Sequence, residues 1–209
     1  MNSKRSLVRR AAAVTAAGAA ALVLAACGGN GDSSAGHDGH TSKSPSASAS
    51  ADQGRHNAAD IAFAEGMIPH HRQAVEMADL APDRAQSPEV KKLAEDIKKA
   101  QDPEIKTLSG WLTSWGEDVP AEGAMDHSMH GGMEGMMSTE EMDKLKSSSG
   151  TAFDTAFMEL MVKHHEGAVA MAKAEQADGA YAPAKKMAGD IITSQTAEIT
   201  RMNKLLGKN

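Results

Sequence analysis

The chain repeats itself. Residues 60–108 align with residues 154–202 without a gap, at a constant offset of 94 and with 19 identities in 49 positions. The identities include Asp60/Asp154, Phe63/Phe157, Glu65/Glu159, Met67/Met161, His70/His164, His71/His165, Ala74/Ala168 and Met77/Met171. A second run adds Asp96/Asp190, Ile97/Ile191, Gln101/Gln195, Glu104/Glu198 and Ile105/Ile199. A match held in register over two separated runs marks a duplicated supersecondary unit, which must bury its apolar face against its copy. Within the first run Phe63, Met67, His70, Ala74 and Met77 step by four and three in turn, the spacing of one helix face. Each unit therefore reads as two helices.

Punctuation along the sequence places them. Asn57, with Asp60 three residues on, caps a first helix that runs to about Ala81, where Pro82 stops it. Ser87-Pro88-Glu89 opens the second, with Pro at the first helical position and an acid in the first turn, and Gly116 ends it after Trp115. A third opens at Ser138-Thr139-Glu140-Glu141, pauses at residues 147–150, and restarts with Thr151 as cap and Asp154 three residues on. It ends near Asp178-Gly179, and the fourth runs from about Pro183 to Leu206. Pro69 and Pro103 fall inside helices and each removes one backbone bond; the copies have Lys163 and Ala197 there. Long amphipathic helices with short turns within each pair predict an all-α, antiparallel four-helix bundle over 57–206, with repeats at 57–115 and 138–206 and a linker at 116–137.

Residues 1–26 have a different character. Lys4, Arg5, Arg9 and Arg10 precede a small, apolar stretch at 11–26, too short for a membrane span and suited to a signal-peptide core. It ends in Leu24-Ala25-Ala26-Cys27-Gly28, which resembles a bacterial lipoprotein processing site. That resemblance implies cleavage before Cys27, lipidation of this only cysteine, and anchoring at the outer face of the cell membrane. Residues 28–55 are Gly, Ser, Ala and Asp with almost no large apolar side chain, so 27–56 is expected to act as a flexible tether. The first 26 residues carry four of the 22 basic residues and no acidic one, so without them the formal charge falls from −6 to −10. An acidic chain argues against nucleic acid as a partner and is compatible with attracting cations.

The stripe shared by the copies carries the candidate chemistry. His70, His71, His164 and His165 are candidate metal ligands, with Met67, Met77, Met161 and Met171 as soft partners. Thioethers select Cu(I) and imidazole suits several transition metals, so mixed sulfur and nitrogen on one helix face favours copper. Gln101, Glu104, Gln195 and Glu198 lie a turn apart on the second helix of each unit and could orient the imidazoles through their second ring nitrogens. The linker holds Met125, His127, Met129, His130, Met133, Met136 and Met137, a second candidate set for capturing a soft metal. The competing reading makes this a non-catalytic structural or partner-binding lipoprotein with core histidines, its Met-rich stripe filling a core. A di-iron oxidase would require Glu-x-x-His on two helices, and the chain has none. No Gly-rich phosphate loop, Ser/His/Asp pattern or paired catalytic acids occur, so no enzymatic activity is expected.

FAEGMIPHHRQAVEMA (63–78) and FMELMVKHHEGAVAMA (157–172), each followed by an A-x-D-I-x3-Q-x2-E-I run, resemble the "domain of unknown function 305" family. The resemblance covers about 57–206. It implies a ferritin-like four-helix bundle, usually exported, and copper or other metal binding linked to extracytoplasmic copper handling.

Overall fold

A computed structural model describes residues 54–122 and 134–208. Among them the chain forms six helices and no strand: α1 (Ala58–Asp79), the single turn α2 (Ala81–Arg84), α3 (Pro88–Trp115), α4 (Thr139–Ser147), α5 (Gly150–Asp178) and α6 (Ala182–Leu205). The four long ones make the expected bundle. α1 packs on α3, α5 on α6, and α1 on α5, which joins the two units, while the short α4 lies against α5.

Most boundaries follow the local chemistry. Asn57 accepts from the Ala59 and Asp60 N–H groups while Asp60 accepts from the Asn57 N–H, a complete capping box. Ser87 caps α3 ahead of Pro88, and Gly116, at φ 82°, ends it in the left-handed region. Ser138 and Glu141 form a second capping box at α4. α1 and α3 remain helical through Pro69 and Pro103.

Two expectations fail. Pro82 does not stop α1; the helix ends three residues earlier, and Pro82 sits in the first turn of α2, where its missing N–H is not needed. Thr151 does not cap α5, which begins at Gly150 behind Ser149 with no side-chain cap. The reason is tertiary. Asp154 reaches across to the other unit and accepts from the Gln86 and Ser87 N–H groups at 3.0 and 2.8 Å.

This contact has an exact counterpart. Asp60 accepts from the Ala180 and Tyr181 N–H groups at 3.2 and 2.9 Å, each partner displaced by 94 residues. Each long first helix thus starts beside the turn that follows the other, so α1 and α5 run antiparallel about a pseudo-two-fold axis. The core divides along that axis. Met77 and Met161 belong to one buried cluster with Leu93, Ile97, Phe153 and Phe157, while Met67 packs in the other with Phe63, Leu108, Leu112 and Ile191.

Candidate metal centre

The pseudo-axis passes through the histidines. His70 on α1 and His164 on α5 meet with ring centroids 3.8 Å apart and planes tilted by 43°. All four imidazoles are buried, none more than 1% exposed. They sit in the layer between the two apolar clusters, and the stripe spacing puts them there, since Ala74 and Ala168 leave room for close approach of the facing helix.

The two histidines of each pair differ. Nε2 of His71 donates to Glu104 Oε2 on α3 at 2.7 Å, and Nε2 of His165 donates to Glu198 Oε2 on α6 at the same distance. A carboxylate can only accept, so Nε2 carries the hydrogen and Nδ1 keeps a free lone pair. Neither nitrogen of His70 or of His164 has a hydrogen-bond partner, and neither has Nδ1 of His71 or His165. That leaves six buried ring nitrogens unpaired, an arrangement that costs free energy in an otherwise apolar layer.

Burial keeps the inner pair neutral. It pushes the His70 imidazole down to about 3, with the neighbouring His71 and His165 rings acting in the same direction. The His164 imidazole is held well below its ordinary range, first by burial and then by the His70, His165 and His71 rings. Both rings therefore offer lone pairs at neutral pH, with no proton to displace.

The donor set fits a transition metal in kind. As arranged, however, the described residues bring no three His, Asp or Glu side chains together around one point.

The methionines of the stripe flank this layer. Met67, Met77 and Met161 are fully buried, two on one side and one on the other, while Met171 is half-buried and packs against the Met67 cluster. Gln101 and Gln195 are buried with their Oε1 atoms unpaired. Of the four residues expected to orient the imidazoles, the two glutamates bond the histidines and the two glutamines do not. Met136 is half-buried and Met137 buried. Cys27, Met125, His127, Met129, His130 and Met133 lie outside the described residues.

Two features escaped the sequence reading. The linker is tied to α1 at both ends by the residues that follow the first histidine pair. Arg72 Nη1 donates to the Pro120 and Ala121 carbonyls at 2.6 and 3.2 Å, and the Gln73 amide exchanges two hydrogen bonds with the Met137 backbone. The signal was present as a break in the repeat, since the second copy has Glu166 and Gly167 at these positions. The second feature is Glu175, buried beside Asp60 at the α5–α6 turn. Burial first, and then the Asp60 carboxylate, push its carboxyl up to about 8, with Lys185 opposing.

Comparison with known proteins agrees with this architecture. The solved structure of a DUF305 protein from Streptomyces coelicolor is 35% identical and superposes with a TM-score of 0.65, covering 72% of this chain and 93% of that one. A DUF305 fragment from Deinococcus radiodurans is 29% identical with a TM-score of 0.64, covering 73% and 98%. CopM in its Cu(II)-bound form is 36% identical with a TM-score of 0.60, covering 70% and 94%, and CopM structures with Cu(I) and with Ag are also similar. No curated protein matches the chain in sequence. Residues 60–206 match the profile of the domain of unknown function DUF305, and the chain belongs to that family.

Proposed function

We propose that this is an extracytoplasmic, lipid-anchored protein that binds and sequesters copper. The observation that carries the reading is the set of six buried imidazole nitrogens on one pseudo-axis with no partner in the protein. His70, His71, His164 and His165 are the ligands of this reading, and Met67, Met77, Met161 and Met171 its soft partners. Support comes from CopM, a similar chain whose structures hold Cu(I), Cu(II) and Ag. The Met/His-rich linker is the capture segment, and its ends are fastened beside His71 through Arg72 and Gln73. Cys27 is the lipid-bearing residue. Among the described residues no helix is long and apolar enough to cross a membrane, and the Streptomyces relative is described as secreted; both are consistent with an extracytoplasmic location. Binding of this kind requires no turnover, and we assign no catalytic residue.

The test is titration of the purified protein with Cu(I) against a competing chelator. We expect tight binding that is lost when all four histidines become alanine. Equal binding by both proteins would sink the bundle site.

One observation favours a second reading. The inner imidazoles pack against each other with tilted planes and, among the described residues, no three donors converge, as core histidines would. A metal that binds only the folded state raises the melting temperature with its concentration. An unmoved melting curve with copper, silver and zinc would leave a structural or partner-binding lipoprotein.

A further inference from the structure

The two copies differ where one stretch of main chain crosses them. Residues 134–137, the return of the linker, lie over both α1 and α5 at the level of the inner histidines. On the α1 side the Met137 N–H donates to Gln73 Oε1 at 2.7 Å and Gln73 Nε2 donates to the Met137 carbonyl at 2.9 Å, both bonds buried. On the α5 side a notch receives it. A Cβ on Gly167 would collide with the Glu134 carbonyl. Gly135 adopts φ 88°, and a Cβ there would stand 2.8 Å from the Lys163 carbonyl oxygen and 3.0 Å from that of His164. Gln73 and Gly167 occupy the same position in the repeat. One copy has a side chain that holds the crossing chain, and the other has no side chain, so that the crossing chain fits.

The histidines beneath are sealed, none more than 1% exposed. Whatever reaches them must displace something. The helices around them are long and lose only single backbone bonds, at Pro69 and Pro103. The crossing segment belongs to no helix; its fastenings are one amide side chain, the glycine notch and the buried Met137 side chain. Segments with so few ties open locally without unfolding the whole.

We propose that residues 134–137 form a removable wall of the histidine centre, that a soft metal ion enters and leaves when this wall lifts, and that Gln73 sets how often it does. The entry role rests on the metal-binding reading; the wall itself does not.

Three measurements on the full protein test it. In the wild type, hydrogen exchange of the Met137 amide should proceed by local opening, insensitive to low denaturant, while amides of α5 require global unfolding. The reagent diethyl pyrocarbonate should acylate His70 and His164 faster in Gln73→Leu and in Gly167→Ala than in the wild type, with half-exposed His56 as internal reference. Loss of two buried hydrogen bonds raises the open population roughly tenfold or more, and Ag(I) uptake should accelerate by the same factor at unchanged stoichiometry. If the Met137 amide exchanges only with global unfolding, the segment is part of the core and the proposal is overturned, whatever the variants do. Unchanged acylation in folded variants overturns it equally. If acylation accelerates but the wild type takes up no Ag(I), the metal-binding reading fails and the wall stands.

Discussion

In each histidine pair one imidazole is held from outside and its neighbour is not. Glu104 and Glu198 fix the ring orientation and tautomer of His71 and His165 and aim the free Nδ1 away from the carboxylate. Such outer partners typically contribute 10–100-fold to metal affinity. The double variant Glu104→Gln, Glu198→Gln should therefore weaken Cu(I) binding by roughly 10–100-fold in chelator competition while keeping the wild-type far-UV spectrum. An unchanged affinity would mean that His71 and His165 are not ligands. The histidines and the glutamates were legible in the sequence because helical periodicity and the repeat bring them to one level. Which of Gln101 and Glu104 would reach the ring was not, since both lie a turn apart on the same flank and only the helix-helix distance decides. Gln73 was invisible for a related reason. Its partner is a main-chain amide 64 residues away, and no side-chain pattern records such a contact.

At the level of elements, the units are joined by a clasp of two aspartates. Asp154 holds the turn before α3, and Asp60 holds the turn before α6. Hydrogen bonds to a charged acceptor contribute about 1.5–3 kcal/mol each, net of solvation. Asp154→Ala, which removes two such bonds, should lower the unfolding free energy by about 3–6 kcal/mol in urea titration, and Asp154→Asn by less. Asp60 and Asp154 lie at opposite ends of the bundle, so the costs of the two alanine variants should add within about 0.5 kcal/mol. A cost near zero would show that the turns hold themselves. The clasp explains the misread start of α5. Thr151 followed by Asp154 has the form of a local cap, but Asp154 is recruited by the other unit and the helix extends back to Gly150. Helix number, order and most ends were readable, because caps and prolines act locally; the exception is the place where a distant turn outcompetes the local cap.

For the molecule as a whole, the clasp differs between the copies at Asp60, which also accepts from the Asn57 N–H and lies beside Glu175. Glu175 beside Asp60 has Ala81 as its counterpart in the first copy. Asp60 itself is held below its usual range: burial alone would raise it, but the Tyr181 and Asn57 N–H groups, Glu175 and the Ala180 N–H outweigh that. The folded state keeps the Glu175 proton up to about pH 8, whereas the unfolded chain releases it near the ordinary glutamate value of 4.5. The native state thus binds more protons in that window, and its stability falls as pH rises from about 4.5 to about 8. Glu175→Gln, which cannot ionise, should flatten this slope and raise the melting temperature at pH 9 by roughly 2–4 °C for each kcal/mol recovered. Parallel slopes for the two proteins would remove Glu175 as the source.

The fastening of both linker ends to α1 has a consequence for how such a protein can change over generations. A segment whose ends are pinned is a closed loop, and doubling its length adds only about 0.6 kcal/mol of closure entropy. Insertions between the two pinned ends thus add little closure entropy to folding. The number and kind of donor side chains carried there can drift or be selected independently of the bundle, with Arg72 and Gln73 as the two fixed points of an otherwise rewritable stretch.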